Sequence, residues 1–367
     1  MSKRLEVNYN KKPCYSIRIE NSFQYLSEEL LSLGFKDKKI VVVTDCNVCN
    51  IYSAELKNIL TSVSENILFF TFPGGEEYKT LDTVQKCYEF LIENQVDRKD
   101  LLIALGGGVV GDLTGFIAAT YLRGVDFVQV PTTLLAQLDS SIGGKTGVDF
   151  SQYKNMVGAF KMPRHVYMNI TTLNSLDDRQ FFNGFAEAMK HGLIRDASYY
   201  EWMISMMDEI HSRDYDTMEK LIYRSCEIKR SIVEKDPLEK GDRALLNFGH
   251  TLGHAIEKYK NFTMQHGECV ALGCVLASFI SWKKELLSME EYYEIRDMFV
   301  PFNLPISIEN LDIDEIIRIT KSDKKMEQGT LKFILLKKVG KAFIDTGVTE
   351  KEMREALEEI IYCDEME

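Results

Sequence analysis

No uncharged apolar run in this chain is long enough to cross a bilayer. The longest, about Cys269 to Trp282, falls short of the roughly 20 residues a spanning helix requires and reads as a buried helix. The start, MSKRLEVNYN, has no apolar core behind its basic residues, so a secretory signal is not expected and the cytoplasm is. An excess of positive charge is also missing. Lys and Arg number 44 against 56 Asp and Glu, a formal net charge of −12, which disfavours nucleic acid and anionic membranes as partners. A local pocket can still be basic, so a small anionic substrate stays open. Eight cysteines are scattered without the spacing of a disulfide framework. The one close pair, Cys46 and Cys49 in DCNVCN, lacks a second CxxC or a Cys/His pair at zinc-finger spacing and reads as incidental. There are no repeats, low-complexity tracts or Pro-rich linker.

What remains is an ordinary globular composition, 45% apolar and 27% charged, in 367 residues. That length suits two domains on a prior of roughly 150 residues each. The runs 40–44 (IVVVT), 67–72 (ILFFTF), 101–105 (LLIAL) and 127–130 (FVQV) are continuous and apolar, with helical-period segments between several of them. Such runs predict a parallel sheet covered on both faces. From about 175 the texture changes to long amphipathic segments at 178–195, 198–210, 216–235, 250–260, 268–286 and 289–300. Only 331–336 and 342–345 read as strands there. The fold class is therefore an α/β N-terminal domain, 1–174, with a parallel sheet, followed by a mainly α-helical C-terminal domain, 175–367.

The stretch LLIALGGGVVGDLTGF is a strand, a Gly-rich turn and a helix start. Glycines let the backbone approach a pyrophosphate, and the helix N-terminus offers orphan N–H donors. Gly106, Gly108 and Gly111 satisfy GxGxxG, a weak pattern alone. Asp126 lies 20 positions on but precedes its strand, so Asp45, ending IVVVT, is better placed for a ribose. Thr132 and Thr133 follow the fourth strand. GGKT at 143–146 fails as a P-loop because Asp139 stands where Gly is required. Lys145, Lys154 and Asn155 are plausible anion ligands on a polar segment.

Glu187, His250, His254 and His266 are the metal candidates. His250 and His254, four apart on one helix face, can present two imidazoles to one ion, and His266 follows in QHGE. Chemistry alone does not say which three ligate, and Glu187 with Lys190 also fits a simple ion pair one turn apart. Lys229 falls within the apolar stripe Met218, Ile222, Cys226 and Val233, where a lysine snorkels, shifts its pKa or meets an anion. Arg243 precedes the histidine helix and suits a carboxylate or phosphate.

Together these segments resemble the 3-dehydroquinate synthase family, within the sugar phosphate cyclases. The matching stretches are VTDCNVCNIY, FPGGEEYKT, ALGGGVVGDLTGF, RGVDFVQVPTTLLAQLDSSIGGKTGVD, KNMVGAF, GFAEAMKHGLI, LNFGHTLGHAIE, HGECVALG and SDKK, in order from residue 43 to about 325. Arg179-Gln180-Phe181 stands where the family usually has Arg-Glu-Phe, and Leu176-Asp177 where it has Leu-Pro. Neither change touches a residue given a chemical role.

The resemblance implies a dinucleotide-binding N-terminal domain and a metal-binding C-terminal domain, with a divalent ion, zinc or else cobalt, on Glu187, His250 and His266 and His254 facing the substrate instead. It implies NAD on Asp45, Glu76, Lys79, Gly107, Gly108, Asp112, Thr132, Thr133 and Thr172, with Lys145 and Lys154 nearby. The substrate, a small anionic sugar phosphate, would meet Lys145, Asn155, Lys190, Lys229, Arg243, Asn247 and His254, with Asp139 near the reacting hydroxyl. One of Lys324 and Lys325 would reach the site, and Arg123 that of a neighbouring subunit in a homodimer. The implied reaction is transient oxidation by NAD, β-elimination of phosphate, reduction and aldol closure of 3-deoxy-D-arabino-heptulosonate 7-phosphate. Retention of Lys229, Arg243, Asn247 and His254 favours this substrate over those of the other cyclases.

Overall fold

The computed structural model describes residues 3–151, 153–326 and 331–362, with backbone alone for 323–326, so Lys324 and Lys325 lie outside the described side chains. Two compact units emerge: Met1–Leu176 with Met218–Arg230, and Asp177–Thr217 with Ser231–Glu367. They differ from a single cut at 174/175 in the boundary, which falls at 176/177, and in one segment. Met218–Arg230, from the second half of the sequence, groups with the first unit, where the Cys226 thiol donates to the Gln137 carbonyl at 3.5 Å.

In the first unit the strands are β1 (Lys3–Tyr9), β2 (Lys12–Glu20), β3 (Ile40–Asp45), β4 (Ile67–Phe72), β5 (Leu101–Gly106), β6 (Asp126–Pro131), β7 (Lys145–Phe150), β8 (Tyr153–Phe160) and β9 (His165–Asn169). Seven of them form one sheet in the order β1-β2-β9-β6-β5-β3-β4, parallel throughout except for the antiparallel edge pair β1–β2. β7 and β8 pair as a separate hairpin. Helices α1 (Leu26–Ser32), α2 (Cys46–Leu60), α3 (Leu81–Glu93) and α4 (Gly108–Thr120) complete the layers.

The continuous apolar strands are explained by where alternate residues go. Val41, Val43, Leu102 and Ala104 pack with Val84, Leu91, Leu113 and Ile117 of α3 and α4. Ile40, Val42, Leu101, Ile103 and Leu105 pack on the other face with Leu26, Leu30, Leu56 and Leu60 of α1 and α2. Each fully buried aliphatic side chain contributes roughly 1.5–3 kcal/mol. Because β3 has β4 on one side and β5 on the other, the chain leaves it in one direction and continues the sheet in the other. Ligands of open α/β sheets bind at the strands' carboxyl ends at such a switch point. Asp45 ends β3 there, and Gly107 follows β5.

The second unit is mainly helical: α5 (Asp178–Arg195), α6 (Ala197–Ser205), α7 (Met207–His211), the ends of α8 (Tyr215–Lys235), α9 (His250–Tyr259), α10 (His266–Lys283), α11 (Met289–Asp297), α12 (Ile313–Met326) and α13 (Glu350–Ile360), with one hairpin, β10 (Phe333–Lys338) and β11 (Lys341–Asp345). The expected helix 198–210 is broken at Met206, with no Gly or Pro to signal it. α10 is the buried helix that the run Cys269–Trp282 suggested, and not the amphipathic one expected over 268–286. Cys269, Val270, Ala271, Leu272, Val275 and Leu276 are buried on every face, which makes it the unit's central helix. No described helix is long and apolar enough to cross a membrane.

Candidate active site

In the first unit, the Asp45 carboxylate caps α2: its Oδ1 accepts from the backbone N–H of Asn47 at 2.9 Å and of Val48 at 3.1 Å. The loop after β4 lies against this turn, since a Cβ on Gly74 would come 2.7 Å from Asn47 Nδ2 and 3.4 Å from Asp45 Oδ1. α4 begins after Gly107, which offers no side-chain cap, so the first N–H groups of that helix are open to an anion. A Cβ on Gly107 would lie 3.1 Å from Thr133 Cγ2, and one on Gly108 3.2 Å from Ser140 Oγ. Side chains at these two positions would crowd Thr133 and Ser140, so the turn presents bare backbone. It fits the dinucleotide expected there.

Beside it stands a buried cation. Lys79 is 4% exposed, and its Nζ donates to Asp112 Oδ2 at 2.8 Å and to Asn155 Oδ1 at 2.6 Å. Glu76 Oε1 lies 3.7 Å from Lys79 Nζ and 3.9 Å from Lys154 Nζ. Burial opposes the charge on Lys79, but Asp112 and Glu76 outweigh it and raise its pKa. Five of the expected site residues are therefore one network, in which Asn155 faces Lys79. Lys229, buried on its helix, meets an anion. Its ammonium contacts the Asp139 backbone carbonyl and Asp139 Oδ1, the latter at 2.7 Å. Thr132 and Thr172 are buried, and the Thr172 hydroxyl donates to Asn169 O at 2.8 Å and accepts from Gln137 Nε2 at 3.2 Å. Lys145 and Arg123 are exposed, Arg123 in a left-handed turn at φ 65°.

The second unit holds the histidines. Glu187, on α5, is fully buried, and the ammonium of Lys190, one turn on and 1% exposed, contacts its Oε2. α9 and α10 meet backbone to backbone. Gly249 opens α9 in the left-handed region at φ 77°, and a Cβ on Gly273 would sit 1.7 Å from the Gly249 carbonyl oxygen. α10 meets α5 in the same way, because a Cβ on Gly267 would fall 2.0 Å from the Asn183 carbonyl. These close approaches place His250 and His266, the first residues of α9 and α10, beside Glu187.

Glu187 Oε1 is 3.5 Å from His250 Nε2 and 3.4 Å from His266 Nε2, and one ligand atom from each of the three residues lies within 4.8 Å of the others. Donors about 2.0–2.2 Å from a tetrahedral ion are separated by roughly 3.3–3.6 Å. The carboxylate–imidazole edges already have that length, so the trio fits a divalent metal. The second nitrogen of each ring is spoken for: His250 Nδ1 bonds the Phe248 carbonyl at 2.9 Å, and Glu257 Oε1 lies 3.9 Å from His266 Nδ1. Partners of this kind fix the tautomer and orientation of ligating imidazoles. Burial and the Lys190 charge lower the His250 pKa, which keeps its Nε2 lone pair available. Burial also works against His266, but the carboxylates of Glu187 and Glu257 hold it at about 9.

His254 is exposed, one turn along α9, with its ring centroid 5.0 Å from that of His250. It forms a second possible ligand group with Glu257 and His266. Since Glu257 faces the Nδ1 side of His266 and Glu187 the Nε2 side, the Glu187 group is the one with a buried carboxylate on the open nitrogens. Arg243 is 2% exposed, with its Nη1 donating to the Pro237 carbonyl at 2.6 Å. Asn247 Nδ2 donates to Glu239 Oε1 at 3.1 Å. Sequence reasoning did not single out Glu239, Glu257 or Asn183. Glu257 had a signal: it stands seven residues after His250, on the same helix face.

The chain matches the family models described as 3-dehydroquinate synthase N-terminal, over residues 69–183, and 3-dehydroquinate synthase C-terminal, over 184–326. It is 42% identical to the 3-dehydroquinate synthase of Ruminiclostridium cellulolyticum, over 91% of this chain and 92% of that one. It is 41% identical to that of Streptococcus thermophilus, over 97% and 99%. Among solved structures, it is similar to a 2-deoxy-scyllo-inosose synthase complexed with carbaglucose-6-phosphate, NAD⁺ and Co²⁺, with TM-score 0.85, 25% identity and coverage of 97% and 100%. A 2-epi-5-epi-valiolone synthase from Streptomyces hygroscopicus subsp. jinggangensis, with NAD⁺ and Zn²⁺ bound, has the same fold at TM-score 0.87, 24% identity and coverage of 97% and 99%. By these likenesses, over nearly its whole length, the chain belongs to the 3-dehydroquinate synthase family.

Proposed function

We propose that this chain converts 3-deoxy-D-arabino-heptulosonate 7-phosphate to 3-dehydroquinate and phosphate, using NAD and a divalent metal ion. The observation that carries the reading is the Glu187–His250–His266 trio at coordination spacing, in a chain 42% identical to a 3-dehydroquinate synthase. When bound, NAD supplies a reversible hydride acceptor and the ion a Lewis acid for a substrate hydroxyl.

In the first unit, Asp45 holds the ribose and the N-terminus of α4 the pyrophosphate. Glu76, Lys79, Asp112, Thr132, Thr133 and Lys154 line the same cradle, and Thr172 supports it through Gln137. Lys229, fixed on Asp139, presents a positive charge beside a carboxylate that accepts a hydrogen bond from the reacting hydroxyl. Lys145 and Asn155 bind the departing phosphate, which carries away the proton of the elimination. In the second unit, Glu187, His250 and His266 hold the ion, zinc by preference for this nitrogen and oxygen set, with cobalt an alternative. Lys190, Arg243, Asn247 and His254 bind the substrate's anionic groups. The local positive charge stabilises anionic intermediates despite the net −12 of the chain.

The active form is a homodimer in the cytoplasm. The β7–β8 hairpin exposes Phe150, Met156 and Phe160 at 53%, 56% and 48%, an apolar surface suited to a second copy. Sedimentation at micromolar protein tests this, and a monomer that retains full activity overturns it.

The decisive assay is phosphate release from the heptulosonate with catalytic NAD and zinc, before and after chelation. One phosphate per substrate, abolished by chelator and without net NADH, is expected. No release from folded, metal-loaded protein refutes the substrate, particularly if glucose 6-phosphate or sedoheptulose 7-phosphate is turned over instead.

A further inference from the structure

The pair Cys46 and Cys49 looks incidental in the sequence, but the fold places it at the rim of the dinucleotide cradle. We propose that these two thiols form a redox-active dithiol whose closure into an intramolecular disulfide loosens dinucleotide binding. The coupling to the dinucleotide rests on the reading of Asp45 given above; the disulfide itself does not.

Cys46 is the first residue of α2, and Cys49 stands three residues on, in the same turn. Helix geometry puts Cα atoms at this spacing about 5 Å apart, inside the range a disulfide bridges. The Cβ atoms, roughly 5–6 Å apart in a regular helix, must close by about 1 Å. A first turn can tighten in this way, because its N–H groups have no carbonyl partner within the helix. Here two of those N–H groups, on Asn47 and Val48, rest on a single atom, Asp45 Oδ1.

The remaining described cysteines lack this combination. Cys87, Cys226, Cys269 and Cys274 are buried, and burial pushes the Cys87 thiol up to about 12. Cys14 is exposed but has no cysteine near it in sequence. Cys46 is exposed and open to an external oxidant, while Cys49 is half-buried with its sulfur accepting from the Thr71 hydroxyl at 3.6 Å. That arrangement is an attacking thiol with a resolving thiol behind it.

The oxidant is a low-molecular-weight disulfide such as oxidised glutathione. The Cys46 thiolate attacks one of its sulfurs and releases one small thiol. Cys49 then attacks Cys46 in the mixed disulfide and releases the second. Two protein S–H bonds become one S–S bond, and the two electrons and two protons leave on the two small thiols. Tightening the turn shifts the N–H groups of Asn47 and Val48, and with them the carboxylate they orient. The Gly74 loop, already against Asn47 and Asp45, leaves no slack to absorb the shift.

The test uses the full chain in glutathione buffers of graded potential. Peptide mass analysis reads the disulfide, and calorimetry reads NAD affinity. The expected result is a loss of about 2 Da in the peptide carrying both cysteines. NAD affinity should then fall about tenfold or more, the worth of one charge-assisted hydrogen bond, and recover with dithiothreitol. Cys46→Ser and Cys49→Ser should keep the reduced protein's affinity and phosphate release and lose the response. Absence of the internal disulfide in oxidising buffer overturns the dithiol. A disulfide formed with unchanged NAD affinity overturns the switch. Asp45→Ala separates the two readings: unchanged affinity in that reduced variant removes the ribose role, and the coupling with it, while the mass result still judges the dithiol.

Discussion

In the first unit the buried cations arrive with their carboxylates in place, Lys79 on Asp112 and Lys229 on Asp139. In the second the order is reversed: a fully buried carboxylate, Glu187, is met by one ammonium and by two imidazole nitrogens at coordination distance. The first arrangement is complete as a set of ion pairs. The second brings together donors that a divalent cation would join. The difference teaches that preorganisation in this protein has two sources. Side chains supply it at the sheet edge. In the helical unit, backbone contacts at Gly249, Gly267 and Gly273 supply it.

The largest expected effect breaks that second set. Glu187→Gln or His266→Ala should lower phosphate release roughly 10³-fold or more, since a Lewis acid is worth several kcal/mol to the reaction. Competition with a chromophoric chelator should show zinc affinity lost in parallel, and retained zinc with retained activity would refute the assignment. On the other side of the comparison, Lys229→Met leaves Asp139 without its ammonium. Breaking a buried pair costs about 3–5 kcal/mol. Asp139 is 24% exposed, so about 2–3 kcal/mol is expected here, read as a lower urea midpoint without any change in zinc content.

A third measurement separates the units by pH. His165, 1% exposed on β9, has its pKa lowered to about 4, first by burial and then by Arg4 and Arg18, against the pull of Glu29. The folded state therefore binds fewer protons than the unfolded chain between the ordinary histidine value, about 6.5, and about 4. Stability of the first unit is present above that window and falls as pH drops through it, by up to about 3 kcal/mol from this group. Urea midpoints of the wild type and His165→Gln should converge toward pH 4, and a constant gap would refute the idea. The smallest effect sharpens the metal side. Glu257→Gln should weaken zinc binding about 10–100-fold, the usual loss when an orienting carboxylate behind a ligating imidazole is removed. Unchanged zinc affinity would reduce Glu257 to packing.

Some parts of the molecule were easier to read than others for physical reasons. The strands at 40–45, 101–106 and 126–131 are visible because both faces are buried, so the apolar letters run on unbroken, and the half-buried edge strand 67–72 keeps an apolar run as well. β1, at the sheet's edge, and β2 beside it alternate polar and apolar residues, and a polar start conceals them. β9 is wholly buried, but it spends two of its five positions on His165 and Asn169, which disguises it. The glycine turn and the histidine pair announce the kind of chemistry. The charge partners do not follow from sequence, because Lys79 meets Asp112 and Asn155 across 33 and 76 residues, and Lys229 meets Asp139 across 90.

The sequence by itself determined which runs become buried parallel strands, which families of side chain gather, and which protein family the chain joins. Spacing could not decide which of its histidines gather at Glu187. His250 and His254 lie on one helix face, so spacing alone permits either. The tertiary structure brings His250 and His266 to Glu187. Backbone contact of Gly267 with Asn183 sets the start of α10 on α5, which turns His266 Nε2 toward Glu187 and leaves its Nδ1 to Glu257. That choice rests on two helices approaching closer than any side chain would allow.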